Sequence, residues 1–259
     1  IVGGAGTGTY PFETASSVYN ELQVGSYIFL DRDYSLNLDA AGRPVTDFAQ
    51  SLFIKSTVLS TPAADRVVTD AGLKAYTTDC GLPGVHDMPG AEVLGAADEH
   101  SNIRFNGPHP RPELGEALRL VPGHCDPTVN LHDWIIGLRN GRVECLWPVA
   151  ARGKAAMAEG STEDLLLDDT LKGIPGGATP FRIGDVAGHG WNLLAEDLPL
   201  PLAVLKDSAI GHNSAWMKRF LATSSTLLAP HGKTTMSPQL FHRQLRDGAW
   251  GITLATVQQ

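Results

Sequence analysis

The sequence is poor in cysteine, in basic residues and in long apolar runs, and each shortage excludes a class of protein. Its three cysteines, Cys80, Cys125 and Cys145, are an odd number in 259 residues. This favours a reducing compartment over a disulfide framework, so we predict a cytoplasmic protein. The 20 Lys and Arg residues face 28 Asp and Glu residues, a net charge of -8, which leaves no basic face for nucleic acid. No apolar run approaches the roughly 18 residues of a membrane span, so neither nucleic acid nor membrane is expected as a partner.

The first half of the chain alternates short apolar runs with turn residues, in a sequence rich in glycine (28) and proline (17). Between residues 24 and 147 this pattern of short apolar runs and turns is typical of a mostly β region. The runs are residues 27–30, 52–54, 66–68, 92–94, 118–121, 134–136 and 143–147.

The second half shows strands that alternate with helices. Apolar runs at residues 202–205, 226–229 and 252–257 predict three strands. Apolar residues at helical spacing follow the first run, and Ser237 with Pro238 forms an N-cap and first-turn pair after the second. The order β-α-β-α-β predicts a parallel sheet or part of a (β/α) barrel.

The fold class is therefore mixed α and β, and we divide the chain into three regions. Residues 1–152 are predicted to form a β-rich domain, residues 153–180 a linker rich in small and acidic residues, and residues 181–259 a partial (β/α) barrel. No internal repeat is evident.

A glycine-rich stretch near the start of the chain is a candidate phosphate site. Gly6 and Gly8 allow main-chain N–H groups to approach a phosphate closely, and Thr7 and Thr9 add hydroxyl donors. A plain turn is the alternative interpretation.

A lysine after the second predicted strand is a candidate nucleophile. Lys233 lies in the loop after residues 226–229, and the carboxyl ends of barrel strands are where barrel enzymes place their chemistry. In a pocket, its amine could form an imine with an aldehyde cofactor. A solvated surface lysine is the alternative.

A histidine and an aspartate are a candidate metal pair. If residues 122–128 are extended, His124 and Asp126 point to one side and Cys125 to the other. Imidazole and carboxylate ligands suit Zn²⁺ or Mn²⁺. The alternative is that the two side chains are hydrogen-bonded together in a turn.

These pieces resemble one enzyme family. Residues 1–152 are similar to the C-terminal part of D-threonine aldolases, which belong with the D-serine dehydratases among the pyridoxal-phosphate enzymes of the alanine-racemase-like fold. The stretches that carry the resemblance are residues 4–9, 21–31, 70–75, 98–100 and 122–128.

The resemblance implies roles for the candidate residues. Residues 6–9 would bind the phosphate of pyridoxal 5'-phosphate, and the β-rich domain would hold a divalent metal, Mn or Zn, beside the cofactor. His124 and Asp126 are similar to the aldolase form of the metal motif, whereas dehydratase relatives have His-x-Cys there. Cys125 is not the expected ligand.

The region from Met157 onward resembles a different member of the same superfamily. It is similar to the N-terminal part of a D-serine-deaminase-like amino-acid deaminase, above all in residues 230–236. Lys233 would then be the Schiff-base lysine.

The order of these parts is reversed relative to the family, in which the lysine segment comes first. We interpret the chain as the tail of an aldolase-like protein joined to the head of a deaminase-like one, with Met157 resembling an initiator and most of the barrel missing. A circular permutation is the rival explanation, and it is weaker because it would retain the missing strands.

The function expected from the resemblance is that of a lyase that depends on pyridoxal 5'-phosphate and a divalent metal. It would cleave the Cα–Cβ bond of small D-β-hydroxy amino acids to give glycine and an aldehyde. A D-serine dehydratase or amino-acid deaminase is the alternative. An inert fragment or read-through fusion is the alternative of another class, and activity of this chain alone is left open. The remaining candidate partner is a second copy of the chain in a homodimer.

Overall fold

The protein is described by a computed structural model, which covers residues 1–152 and 162–255. The strands in chain order are β1 Gly3–Gly4, β2 Glu21–Leu22, β3 Leu52–Ala63, β4 Arg66–Thr69, β5 Gly84–Val85, β6 Ala91–Ala96, β7 Ser101–Phe105, β8 Ala117–Val121, β9 Trp134–Arg139, β10 Arg142–Pro148, β11 Leu166–Leu167, β12 Phe181–Arg182, β13 Leu202–Lys206 and β14 Leu227–Leu228. The α-helices are α1 Tyr10–Ala15, α2 Arg32–Ser35, α3 Cys125–Val129, α4 Asp207–Ala222 and α5 Pro238–Arg246. Short 3-10 helices span Ser26–Ile28, Ala150–Arg152, Thr162–Asp164, Ile183–His189 and Leu193–Ala195.

Six antiparallel strands close into a β-barrel. They follow the order β3-β4-β7-β6-β5-β8, and β8 pairs back to β3 with Ile54 opposite Leu120. Both of these side chains are fully buried, together with Val67 and Ile103 on neighbouring strands. Since side chains alternate between the two faces of a strand, the apolar positions of one face fill the interior.

Six of the seven predicted β runs lie on strands, and the strands β5 and β7 of this region were not predicted. The strand predicted at residues 27–30 is wrong, because Ser26–Ile28 is a 3-10 helix and Leu30 has a φ of 55°. Tyr27, Ile28 and Phe29 are all buried, so their burial shows no alternation that would distinguish a strand from a buried turn. The strand β7 was not predicted, although Ser101, Ile103 and Phe105 alternate on its buried face.

The strand β13 completes the sheet of the first half. It runs antiparallel to β3 and parallel to β9, and its residues Leu202, Ala203, Val204 and Leu205 are buried. The expected parallel sheet of β13 with β14 is wrong, since the two strands lie in different sheets. The partial barrel segment predicted at residues 181–259 is thus divided between the large sheet and a small one.

The small sheet has three parallel strands in the order β1-β2-β14. Gly3 and Leu227 both pair with Glu21, one on either side of β2. The carboxyl ends of parallel strands meet at one edge of a sheet, so the loops after β1, β2 and β14 lie together there. This edge positions the candidate site.

The described part of the predicted linker, residues 162–180, packs against the large sheet. Leu167 and Phe181 belong to the antiparallel pair β11 and β12, and they share a buried cluster with Phe53 and Ile136. Apolar burial therefore fixes this segment, whose composition alone had indicated a linker. Residues 153–161, which include Met157, lie outside the described residues.

Both helices predicted in the second half are present as α4 and α5. Ser237 is the N-cap of α5 and Pro238 its first residue. In the third predicted strand, Thr253 forms an isolated parallel bridge with His231, and residues 256–259 lie outside the described residues. Among the described helices, none combines the length and apolar character that crossing a bilayer requires.

Candidate cofactor and metal site

Two segments distant in the sequence meet at the edge of the small sheet. The loop after β14 carries Lys233, helix α3 carries Asp126, and Lys233 Nζ lies 3.4 Å from Asp126 Oδ2. The Lys233 side chain is 52% exposed, whereas that of Asp126 is 11% exposed. The amine is thus open to an incoming molecule on one side and faces a shielded carboxylate on the other.

Asp126 lies in the first turn of α3, with His124 as the N-cap. The segment is helical from Cys125 and not extended, as the sequence argument had assumed. The two side chains still approach each other, with 3.9 Å between His124 Nε2 and Asp126 Oδ2. Asp126 Oδ1 accepts hydrogen bonds from Ser26 Oγ and Cys125 Sγ, each at 3.4 Å. One carboxylate oxygen is therefore held by the protein, and the other faces His124 and Lys233.

A fully buried carboxylate, Asp31, orients the imidazole of His124. Its Oδ2 lies 2.9 Å from His124 Nδ1 and also accepts from the main-chain N–H of Cys125 at 2.9 Å. Its Oδ1 accepts from the N–H of Tyr34 at 2.9 Å. The hydrogen bond to Asp31 raises the pKa of His124, against the opposing effect of burial. With the Nδ1 proton donated to Asp31, Nε2 is the nitrogen whose lone pair is available.

The donor atoms at this point suit a divalent ion. Ligand atoms of Asp31, His124 and Cys125 lie within 4.8 Å of one another, and Asp126 adds a carboxylate oxygen beside His124 Nε2. Nitrogen and carboxylate oxygen donors are typical for Zn²⁺ and Mn²⁺. Burial raises the pKa of the Cys125 thiol well above its usual value, so this sulfur is protonated in the protein alone.

The glycine and threonine loop after β1 has unused hydrogen-bonding groups. Thr7 is 6% exposed, and its Oγ1 is buried with no hydrogen-bond partner in the described part of the chain. Thr9 Oγ1, by contrast, accepts from the N–H of Gly6 at 3.3 Å. A Cβ at Gly8 would lie 2.6 Å from Asn37 Nδ2, so the loop approaches its neighbours closely. An orphaned buried hydroxyl is what a missing anionic group would leave behind.

One aromatic side chain joins this loop to the metal pair. The ring of Tyr34 lies 6.1 Å from that of His124, and its hydroxyl lies 3.8 Å from the position a Cβ of Gly6 would take. The lysine loop is equally close to the end of β2, because a Cβ at Gly25 would lie 3.0 Å from the carbonyl oxygen of His231. Tyr34 thus lies between the glycine loop and His124, and the lysine loop lies beside the end of β2.

Sequence reasoning missed several residues of this region. Asp31, Tyr34 and Thr235 received no role, although Thr235 is 1% exposed and its Oγ1 has no partner among the described residues. Asp31 directly follows an apolar run, and a carboxylate at that place was the signal that could have identified it.

Three comparisons with known proteins show what the chain is similar to. The model of the family described as "Putative serine dehydratase domain" matches residues 51–138. The chain is 46% identical over 156 residues to a 3-hydroxy-D-aspartate aldolase of Paracoccus denitrificans, a match that covers 60% of this chain and 40% of that protein. It is 48% identical over 150 residues to a D-threonine aldolase of an Arthrobacter species, covering 58% and 39%.

A solved structure gives the same result. The crystal structure of D-threonine aldolase from Filomicrobium marinum superposes with a TM-score of 0.54 and 42% identity, over 58% of this chain and 41% of that one. The chain therefore spans about two fifths of the length of these relatives. Residues 51–138 thus match the family described as "Putative serine dehydratase domain", and over about 60% of its length the chain is similar to D-threonine and 3-hydroxy-D-aspartate aldolases.

Proposed function

We propose that this chain carries the core of a lyase site that acts on small D-β-hydroxy amino acids with pyridoxal 5'-phosphate and a divalent metal. The proposed reaction is the aldolase type, which cleaves the Cα–Cβ bond to give glycine and an aldehyde. The observation that carries the proposal is the 3.4 Å contact between Lys233 Nζ and Asp126 Oδ2. It joins the candidate nucleophile to the candidate metal pair, although the two came from separate regions of the sequence.

The residues present fit the cofactor. Bound pyridoxal 5'-phosphate supplies an aldehyde for an amine and a ring that accepts electron density from the α-carbon. The unpartnered Thr7 Oγ1 and the glycines beside it are suited to hold the phosphate end. Lys233 presents its amine at the other end, where the Asp126 carboxylate can hold a proton on Nζ.

The residues also fit a divalent ion, with His124 and Asp126 as protein ligands. Such an ion, when bound, supplies positive charge that lowers the pKa of a hydroxyl group on the substrate. Asp31 keeps Nε2 of His124 turned toward Asp126 by holding Nδ1 at 2.9 Å. Asp126 Oδ2 then has two roles, as an ion ligand and as the charged neighbour of Lys233, and ion binding would weaken its hold on the lysine proton.

A dehydratase or deaminase reaction is the second candidate. The match to the family described as "Putative serine dehydratase domain" supports it, as does the similarity of residues 230–236 to an amino-acid deaminase. This reaction would remove the β-hydroxyl and release a keto acid and ammonia. The larger share of the chain that matches aldolases favours the first candidate.

The lysine is tested with the purified chain and pyridoxal 5'-phosphate. We expect an imine absorbance band that borohydride converts into a covalent adduct on Lys233. The variant Lys233→Ala should lose both signals, and Lys218→Ala, on an exposed position of α4, should keep them. An adduct elsewhere, or no adduct on a folded chain, would contradict the lysine assignment.

Products then distinguish the reactions. With D-threonine and Mn²⁺, glycine and acetaldehyde support the aldolase, whereas 2-oxobutanoate and ammonia support the dehydratase. A folded chain that forms the imine but gives neither product set is an inert fragment, and the proposed function is then wrong. Asp126→Asn should abolish stimulation by the metal, and Cys125→Ser should retain it; loss in both would make Cys125 a ligand.

A further inference from the structure

A second cleft lies on the outer face of the large sheet. Its volume is about 960 Å³, and β3, β8, β9 and β13 supply side chains to it. On β3, Leu52 and Ile54 face the barrel interior, whereas Phe53 belongs to the other buried cluster. Phe53 and Lys55 therefore project to the outer face, where the cleft is. None of the residues that line it belongs to the cofactor and metal site.

Two cations stand directly opposite each other in this cleft. Lys55 on β3 pairs in register with Arg119 on β8, and both line the cavity. Like charges at directly opposed positions of an antiparallel pair repel each other. Arg119 is ion-paired with Asp87 at 2.7 Å. Lys55 is not: its amine donates to the main-chain oxygen of Leu193 and has no carboxylate within salt-bridge distance in the described part of the chain.

The burial of Lys55 makes this arrangement more costly. The residue is 7% exposed, and a buried ammonium without an ionic partner is unfavourable. Burial accordingly lowers the pKa of its amine, with Arg119 acting in the same direction and Glu196 against it. An anion in the cleft would relieve both the repulsion and the desolvation.

A third cation adds to the positive charge. Lys206, at the end of β13, lines the same cleft, and no ion pair involves it among the described residues. The acidic residues nearby are largely engaged: Asp207 is held by Arg243 at 2.7 Å and by Arg139 at 3.3 Å. Glu116 accepts a hydrogen bond from a main-chain N–H. Glu196 also lines the cleft, so four cations, Lys55, Arg119, Arg139 and Lys206, face three carboxylates, Glu116, Glu196 and Asp207. The lining has a small excess of positive charge in a protein with a net charge of -8.

The floor of the cleft is apolar. Phe53, Leu138 and Val204 line it, and Phe53 and Val204 are opposite each other on β3 and β13. The guanidinium of Arg119 lies 5.4 Å from the centroid of the Phe53 ring. A ligand that fits these features has a flat or aliphatic body and an anionic group at one end.

We infer that this cleft is a binding site for a small organic anion, with Lys55, Arg119 and Lys206 around its charged group and its apolar body on Phe53 and Leu138. The inference is independent of the lyase proposal, because it uses none of the same residues. It assigns a second small-molecule site to the chain.

The test uses a matched pair of fluorescent probes. The anion 8-anilinonaphthalene-1-sulfonate should bind, and the uncharged N-phenyl-1-naphthylamine should bind more weakly. The double variant Arg119→Met and Lys206→Met should lower the affinity for the anionic probe by about tenfold or more, since charge-assisted contacts are lost. Its affinity for the neutral probe should be unchanged. Both positions are partly or fully exposed, so folding should be retained. Lys55→Met adds a third variant at the buried position.

A control and a competition complete the experiment. Lys218→Met removes an exposed cation outside the cleft and should change anion affinity less than about twofold. Displacement of the probe by phenylacetate assigns a carboxylate ligand, and displacement by phenyl phosphate assigns a phosphate. Equal binding of both probes, an equal loss in Lys218→Met, or displacement by neither competitor would overturn the inference.

Discussion

The buried carboxylate of Asp31 pairs with the partly buried imidazole of His124, with 2.9 Å between Oδ2 and Nδ1. Asp31 is fully buried, and its two oxygens also accept the main-chain N–H groups of Tyr34 and Cys125. These hydrogen bonds hold the carboxylate in place independently of its contact with the histidine. Such a partner determines which imidazole nitrogen carries the proton.

Replacing Asp31 should weaken metal binding without removing a proposed ligand. In Asp31→Asn, the amide can present its NH₂ to Nδ1 and favour the wrong tautomer of His124, so we expect affinity for Mn²⁺ to fall about 10- to 100-fold. Titration of free Mn²⁺ by electron paramagnetic resonance measures this without any assay of activity. Asp33→Asn, at an exposed position of α2, is the matched control. Unchanged affinity in Asp31→Asn would mean that His124 is not held for a metal.

Gly25 marks the place where the strand β2 and the lysine loop approach most closely. A Cβ there would overlap Thr234 Oγ1 and lie 3.0 Å from the carbonyl oxygen of His231. Gly25→Ala should cost about 1–3 kcal/mol in the free energy of unfolding, as overpacking does, and should lower the yield of the imine at Lys233. At Gly251 an added Cβ would meet nothing within 4 Å, so Gly251→Ala should be close to neutral. Urea unfolding measures the free energy of unfolding of both variants, and equal losses in the two would contradict the close approach of Gly25 to the lysine loop.

His132 should make the stability of the protein depend on pH. Burial lowers its pKa from 6.5 to about 4, and its Nε2 lies 2.8 Å from the carbonyl oxygen of Ala75. Between these values the unfolded chain binds the proton that the folded chain does not. The contribution of His132 to the free energy of unfolding is therefore highest above pH 6.5, and it falls by up to about 1.4 kcal/mol per pH unit as the pH drops toward 4.

The contribution of His132 is measured by urea unfolding across this range. His132→Gln should flatten the slope relative to the parent, because the titrating group is gone while an N–H donor to Ala75 is kept. His109→Gln, at an exposed position, should retain the parent slope. Parallel slopes in all three proteins would show that His132 is accessible to the proton in the folded state.

The strand β13 should be essential to the large sheet. Leu205 is fully buried and pairs with Leu52 on one side and Gly137 on the other. Leu205→Ala should lower the free energy of unfolding by about 2–5 kcal/mol. Leu227, on β14, is 49% exposed, and Leu227→Ala should change it by less than about 0.5 kcal/mol. A small effect at Leu205 would mean that the second half does not share the core of the first.

Local patterns in the sequence predicted much of the β structure, because alternation reports a half-buried strand directly. They failed at residues 27–30, where Tyr27, Ile28 and Phe29 are all buried in succession and periodicity carries no information. Within the predicted linker, Leu167 and Ile174 are buried in a cluster with side chains of the large sheet, and local composition does not report such tertiary burial.

The candidate site shows the same limit at the level of tertiary structure. Motifs suggested Lys233, His124 and Asp126 one by one. The contact between Lys233 and Asp126 arises because β14 pairs with β2, and strand pairing between distant segments leaves no local trace. Asp31 is recognisable as a partner of His124 only once the two segments are folded together.

The position of β13 has a consequence for how the polypeptide folds as it leaves the ribosome. Its neighbours β3 and β9 are made much earlier, yet the gap between them is filled by residues 202–206. Until those residues emerge, β3 and β9 expose main-chain N–H and C=O groups that lack hydrogen-bond partners, and these groups can pair with other nascent chains. Slow translation ahead of this segment would prolong that exposure, and a chaperone bound to the first half would cover the exposed strand edges.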